Sequence, residues 1–375
     1  MGQAFRRSPA RDSLSPMTLK PFYPPDSEQP PQHGGDLGAA SEQFGIDPND
    51  WLDLSTGINP DNYPVPTLAP ACFTTLPEKY RVAFLDAARH YYGCEFVLAG
   101  PGSQRFIELL PCLRDASTVG VPDIGYAEHA YRWRQAGHQV VTYDAWKPAA
   151  LDTLIEEGRV DCAVIINPGN PTAKLVSRSH LRQWHRQLDA RGGWLIIDEA
   201  FIDATPDKSY APFAHERGVV VLRSIGKYFG LAGIRCGFAI CHPELGERLD
   251  YALGPWPVTG PSQHIVEIAL GDHAWQRNAA RTLLRNSRWM QDVVVQHLGM
   301  PNRNLHSTGF FVGCILKSTF ADHVFTKLAG GGILIRRWPL AGDFAGSTLL
   351  RFGLISSESV LLRDRFHSAL AQIER

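Results

Sequence analysis

Between residues 95 and 241, short apolar runs alternate with amphipathic stretches. In order the runs are EFVLA, STVGV, QVVTY, DCAVII, WLIID, VVVLR and CGFAIC. A strand wetted on one face alternates apolar and polar positions, whereas runs that are apolar almost throughout belong to a sheet covered on both faces. The intervening amphipathic stretches supply the helical cover, so the pattern predicts an α/β fold with a mostly parallel seven-stranded sheet. Behind the glycine-rich turn at Gly100, residues Phe106, Ile107, Leu109, Leu110 and Leu113 recur at helical spacing, with Ser103 placed to cap the helix. After Pro255 and Pro257 the pattern changes to a long helical region over about 262–298, then strand-like GFFVGCIL, GILI and LLRFGL, then a closing helix. A smaller C-terminal α+β domain over 256–375 is expected, following a large domain over 61–255 and an N-terminal segment over 33–60.

Residues 1–32 contain seven prolines, at 9, 16, 21, 24, 25, 30 and 31, and few apolar residues. Such a segment cannot nucleate a core and reads as a flexible arm. Met17 is an alternative start. With 375 residues, 44% of them hydrophobic and 20% charged, the chain can bury one large or two coupled cores. Its 37 Lys+Arg against 38 Asp+Glu leave a net charge of −1, which supplies no positive field for a nucleic-acid backbone. No stretch of about 18 consecutive apolar residues calls for a membrane, and no apolar segment follows Arg6 and Arg7 as a secretory signal requires. A cytoplasmic protein is expected. Seven scattered cysteines without a C-x-x-C spacing fit neither a disulfide framework nor a zinc ribbon, and the fourteen histidines form no H-E-x-x-H pair, so no metal is expected.

Four local features need a joint explanation: Gly100-Pro-Gly-Ser-Gln104, Asn167-Pro-Gly-Asn-Pro-Thr172, Leu195-Ile-Ile-Asp-Glu-Ala200, and the glycine-rich stretch Ser224 to Gly237 that contains Lys227. Gly226-Lys227 is not a P-loop, since no Gly stands five positions before Gly226 and Tyr228 replaces the Ser/Thr needed at magnesium. Leu222 stands where a nucleophile elbow at Ser224 needs glycine, and Gly100-Pro-Gly102 lacks the third glycine of a dinucleotide fingerprint. A lysine after one buried strand and an aspartate closing another would converge at the carboxyl edge of an open sheet. An amine, a carboxylate and a phosphate cup together suit a cofactor with an aldehyde, a basic ring nitrogen and a phosphate, namely pyridoxal phosphate.

The order Gly-Ser-Gln, N-P-x-N-P, D-E-A and S-x-G-K-x-F-G-L-A-G-x-R-x-G resembles the fold-type I, aminotransferase-like pyridoxal-phosphate enzymes, in the branch that includes the histidinol-phosphate aminotransferases. Within that branch His33-Gly-Gly-Asp36, Asp53-Leu-Ser-Thr-Gly-Ile-Asn-Pro60, Pro101-Gly-Ser-Gln104 and Tyr126-Ala-Glu-His129 are similar to the threonine-phosphate decarboxylases of cobalamin biosynthesis. The resemblance runs from about residue 33 to the C-terminus.

The resemblance implies a role for each matching residue. Lys227 would bind the cofactor's aldehyde, Asp198 would face its pyridine nitrogen, Asn170 would donate to its phenolic oxygen and Tyr126 would stack on its ring. Gly102, Ser103 and Gln104 at a helix start, with Ser224 and Arg235, would hold its phosphate. Tyr80 is the candidate for a tyrosine that reaches the same phosphate from a partner subunit. Arg351 would pair with the substrate α-carboxylate, while Arg336, chosen over Arg337 by strand alternation, would lie near the substrate phosphate. His33 and Ser55 would add substrate contacts, and Gly57, where some relatives have Asn, would offer a backbone contact instead.

The implied activity is decarboxylation of L-threonine O-3-phosphate, in a homodimer with shared active sites that uses neither nucleic acid nor membrane. An aminotransferase acting on histidinol phosphate or a related phosphorylated amine shares nearly every cofactor residue. A non-catalytic binding protein on the same fold is a third reading, opposed by the intact Lys, Asp, Asn and Arg set.

Overall fold

The computed structural model describes residues 30–301 and 304–374. Most of the Pro-rich arm, and with it Met17, lies outside the described residues. The strands in chain order begin with β1 (Leu52–Asp53), β2 (Leu98–Gly100), β3 (Thr118–Pro122) and β4 (Gln139–Tyr143). They continue with β5 (Cys162–Ile166), β6 (Trp194–Asp198), β7 (Val219–Ser224) and β8 (Gly237–Cys241). The C-terminal part adds β9 (Leu305–Ser307), β10 (Phe311–Lys317), β11 (Ile333–Leu334), β12 (Arg336–Pro339) and β13 (Ser347–Gly353).

Each of the seven apolar runs forms one strand of a single sheet, in the order β2-β8-β7-β6-β5-β3-β4. Its strands are parallel except β8, which runs antiparallel to both β7 and β2. Side chains of one strand alternate between two cores: Ala163 and Ile165 of β5 join one, and Cys162 and Val164 join the other. Both faces of the central strands are therefore dry, which is why their sequences are apolar almost throughout until they reach the cleft edge. The reversed strand matters for function. Because β8 alone runs backwards, its beginning lies at the edge where the other strands end, with Ser224 opposite Gly237 and Gly100 opposite the same residue.

The helix behind Gly100 runs Ser103–Leu109 and tightens into a 3-10 turn over Leu110–Leu113, where Pro111 lacks the N–H that an α-helix needs. Ser103, expected as the cap, is instead the first helical residue. Gly102 holds the cap position at φ 83°, ψ 161°, and no side chain caps the helix. The long helical region is two helices, Gly260–Gly271 and His273–Leu298, separated by Asp272, whose carboxylate accepts from the Trp275 N–H at 2.9 Å and starts the second. Helix Gly260–Gly271 meets the chain just before helix Val82–Tyr92: the Arg81 N–H donates to Gln263 Oε1 at 2.8 Å. In the C-terminal unit an antiparallel sheet of order β12-β13-β10-β9 is paired with helices Ser318–Gly330 and Val360–Ala371. The N-terminal segment joins this unit through the parallel pairing of β1 with β11.

Candidate active site

The turns after β2, β3, β5, β6 and β7 and the turn before β8 open on one edge of the sheet, and there they line a cleft of about 280 Å³. Ligands of open α/β sheets collect at such an edge. Lining it are Ser103 and Gln104 after β2, Tyr126 after β3, Asn170 after β5, Asp198 at the end of β6, Ser224 and Lys227 after β7, and Arg235 before β8. From the C-terminal unit and the N-terminal segment come Arg336, Arg351, His33, Ser55 and Gly57. Fourteen of the fifteen residues singled out from the sequence thus line this cleft, counting Gly102 among them, and Tyr80 does not. Its hydroxyl lies 3.0 Å from the Ala99 carbonyl and 3.1 Å from Asp250 Oδ1 within its own subunit.

Lys227 sits in the short helix Ile225–Tyr228 that continues β7. Its Nζ lies 5.5 Å from the centre of the Phe201 ring. Burial first, then the positive charges of Arg351, Arg235 and Arg336, push this amine down to about 8, against the opposing pull of Asp198. An amine free near neutral pH can attack a carbonyl.

Asp198 is buried where β6 leaves the sheet. One carboxylate oxygen accepts the Ala200 N–H at 3.1 Å, and the other lies 3.0 Å from Nε2 of the equally buried His129. His129 appeared in the sequence only as the last residue of a motif. Its burial on the inward face of helix Glu128–Gln135 is what makes it a partner of Asp198.

Tyr126 donates its hydroxyl to Gln104 Oε1 at 2.8 Å, and Gln104 Nε2 donates in turn to Glu128 Oε2 at 2.7 Å. Glu128 also receives Arg132 Nε at 2.8 Å and meets His33 Nε2 at 3.0 Å. Burial alone would raise this carboxyl, but hydrogen bonds from His33, Arg132 and Gln104 outweigh it and hold Glu128 at about 2. Glu128 was not among the residues singled out from the sequence.

On the opposite wall Arg336 and Arg351 are directly paired across β12 and β13. Strand alternation separates Arg336 from Arg337, which turns away from the cleft to pair with Asp322. Arg351 is buried, donates to Asn170 Oδ1 at 2.6 Å and to the Ser55 carbonyl, and its Nε has no partner among the described residues. Both of those acceptors are neutral. Burial, then the nearby charge of Arg336, pushes Arg351 down to about 9 against the pull of Asp53. A guanidinium so placed favours an anion in the cleft.

The helix start Gly102–Gln104 and Arg235 face each other closely. A Cβ on Gly102 would fall 2.8 Å from Arg235 Nη2, and the backbone there is left-handed, so only glycine allows the guanidinium to approach the helix N-terminus. Ser55 is fixed by Asp53, to which its hydroxyl donates at 2.6 Å, and it accepts the Gly35 N–H at 2.8 Å, which ties the N-terminal segment to the cleft. At Gly57 a Cβ would lie 2.7 Å from Phe201 Cε1, so the missing side chain is replaced by the Phe201 ring rather than by empty space.

A buried amine with its proton loosened, a carboxylate on the neighbouring strand, an amide at Asn170 and an arginine beside a helix start fit the aldehyde, ring nitrogen, phenolic oxygen and phosphate of pyridoxal phosphate. The architecture and this edge are those of the fold-type I, aminotransferase-like class. The aminotransferase class I and II family matches residues 63–352, and the chain belongs to it. It is 40% identical over 333 residues to the threonine-phosphate decarboxylase of Pseudomonas aeruginosa, covering 88% of this chain and 95% of that one. To the threonine-phosphate decarboxylase of a Sinorhizobium species it is 36% identical over 348 residues, covering 91% and 98%. Among solved structures, histidinol-phosphate aminotransferase from Sinorhizobium meliloti in complex with pyridoxal 5'-phosphate superposes with a TM-score of 0.75 at 16% identity, covering 96% of this chain and 99% of that one.

Proposed function

We propose that this chain is a pyridoxal-phosphate-dependent decarboxylase that converts L-threonine O-3-phosphate into (R)-1-amino-2-propanol O-2-phosphate and carbon dioxide, for cobalamin biosynthesis. The carrying observation is the cross-strand pair Arg336–Arg351, which puts two guanidinium groups on the wall facing Lys227. One substrate with two acidic ends, a carboxylate and a phosphate, matches two such groups.

Pyridoxal phosphate supplies an aldehyde that takes up amines and a protonated ring that accepts the electron pair released at Cα. Lys227 Nζ, its proton loosened by burial and by Arg351, would hold the aldehyde. Asp198, steadied by His129, would keep a proton on the ring nitrogen, and Asn170 would donate to the phenolic oxygen. Tyr126 would pack on the ring, while Ser103, Ser224 and Arg235 would hold the cofactor phosphate. Arg351 takes the substrate carboxylate, and Arg336 with His33 takes the substrate phosphate. By anchoring both ends they decide which bond at Cα is presented for cleavage. The carboxylate leaves as carbon dioxide, and Cα gains a proton in its place.

The test supplies L-threonine O-3-phosphate without any keto-acid acceptor. Release of carbon dioxide with the cofactor still in its pyridoxal form is the expected result; stoichiometric pyridoxamine phosphate would identify a transaminase.

The working enzyme in this reading is a cytoplasmic homodimer. Val65, Phe73, Leu76 and Val82 on one segment, and Trp256 and Ile268 on the adjoining one, are exposed apolar side chains that a second copy would cover. All seven cysteines are free, as suits a reducing compartment. Sedimentation at equilibrium should return twice the mass of the 41.5 kDa chain.

A further inference from the structure

Glu128 is a carboxylate with 4% exposure, held by donors from three separate parts of the chain, yet nothing in the proposed chemistry uses it. One of its oxygens faces His33 Nε2 at 3.0 Å; the other accepts from Gln104 Nε2 at 2.7 Å and Arg132 Nε at 2.8 Å. Gln104 Nε2 also reaches Glu108 at 3.3 Å, so Gln104 Oε1 is left to accept the Tyr126 hydroxyl. Gln104 Nε2 and Arg132 Nε can only donate, and an amide in place of Glu128 could keep both only by turning its N–H toward His33, reversing that ring's hydrogen bond. The carboxylate is therefore selected by its surroundings.

The consequence falls on His33. A carboxylate only accepts, so the ring nitrogen that meets it, Nε2, must carry a proton, and Nδ1 is left for a ligand. A phosphate placed at Nδ1 is satisfied when that nitrogen also carries a proton, since the ring then donates to an anion on each side. His33 lines the cleft beside Arg336, and its ring lies 5.4 Å from that of Tyr126. Without Glu128 the ring would be free to turn, because its side chain is 44% exposed and enters the site on a loop.

We infer that Glu128 is a positioning residue for substrate specificity: it orients the imidazole of His33 toward the substrate's phosphate monoester and joins that contact to the Gln104–Tyr126 pair on the cofactor side. The inference deepens the proposed function and rests on its reading of the substrate as a phosphate monoester.

The experiment titrates the holoenzyme with L-threonine O-3-phosphate and with L-threonine, following the absorbance of the bound cofactor to obtain dissociation constants. Wild type, Glu128→Gln, His33→Ala and the double variant are compared. Glu128→Gln should weaken threonine phosphate by about tenfold or more, the worth of one charge-assisted hydrogen bond, and leave threonine within about twofold. His33→Ala should show the same selective loss, and the double variant should lose no more than His33→Ala alone. Equal weakening of both ligands, or losses that multiply in the double variant, would overturn the inference. If Glu128→Gln does not fold, His33→Ala still decides: unchanged preference for the phosphorylated ligand rejects the route through His33. A wild type that prefers threonine phosphate but transaminates it removes the decarboxylase reading and leaves this inference standing, whereas a wild type with no such preference removes the inference.

Discussion

The imidazole of His129 and the carboxylate of Asp198 meet at 3.0 Å, both buried, one on a helix that covers the sheet and the other at the end of β6. With Nε2 donating, the ring holds one carboxylate oxygen and fixes the plane of the group. In the proposed function Asp198→Asn removes the group that would keep the cofactor's ring nitrogen protonated, and kcat should fall by about 10³ or more. His129→Ala leaves the carboxylate held by the Ala200 N–H alone, so kcat should fall about tenfold with KM little changed, and His129→Gln, which restores a donor, should recover part of the loss. Steady-state carbon dioxide release on the three variants checks the order.

Lys227 is held at about 8 instead of an ordinary lysine's 10.5. Below that value the amine is protonated and cannot attack an aldehyde, so loading of pyridoxal phosphate onto cofactor-free protein should accelerate as pH rises from 7 to 9 and then level off. Arg351 is the largest of the positive neighbours that lower it. Arg351→Gln should therefore move the midpoint of the pH–rate curve upward, toward the unperturbed value. Stopped-flow absorbance measures both curves, and Lys227→Ala should show no phase at all.

The seven strands were legible because most are nearly continuous apolar runs set off by polar turns, and the turns that follow β2, β3, β5, β6 and β7 share the cleft. Arg336 was distinguishable from Arg337 for a related reason: alternation along a strand sends neighbours to opposite faces. Glu128 and His129 escaped because a glutamate in the first turn of a helix is ordinarily a solvated partner of the helix dipole. What betrays them is the company of Trp133 on the same buried face, a three-dimensional fact that follows from where helix Glu128–Gln135 docks. The split at Asp272 was obscured because the apolar spacing continues across the break, and only the cap geometry marks it.

Beneath the site, Arg223 carries a framework that the cleft depends on. It pairs with Asp203, lies 3.4 Å from Glu199 Oε2, and donates to Ser209 Oγ at 3.0 Å, with all three ionic side chains buried. Glu199 adjoins Asp198 and Arg223 adjoins Ser224, so the pair ties β6 to β7 at the cofactor edge. Arg223→Met would leave two carboxylates buried without a cation and should cost about 3–5 kcal/mol. Burial already raises Glu199 against the lowering pull of Arg223. Without the arginine its folded-state value rises further above the unfolded one, so the folded form holds a proton that the unfolded form releases, and stability is lost as pH rises. The variant's deficit in melting temperature should accordingly be larger at pH 8 than at pH 5.5, a comparison that differential scanning calorimetry makes directly.

Gly57 and Phe201 form a tight apolar fit in the cleft. A Cβ at position 57 would sit 2.7 Å from Phe201 Cε1, and Phe201 cannot retreat easily because Phe310 and Phe311 stand with their ring centres 5.6 and 5.5 Å from its own. Overpacking of this kind costs about 1–3 kcal/mol. The same ring lies 5.5 Å from Lys227 Nζ, so any displacement reaches the reacting amine as well as the core. Gly57→Ala should lower the melting temperature by a few degrees and reduce turnover together, since one movement causes both. Phe201→Leu, which shortens the ring's reach, should be mildly destabilising alone yet restore much of the stability lost in Gly57→Ala when the two are combined. A double-mutant cycle with a favourable coupling of about 1 kcal/mol or more is the expected result. Strict additivity would mean that position 57 excludes a side chain for a reason other than the Phe201 ring.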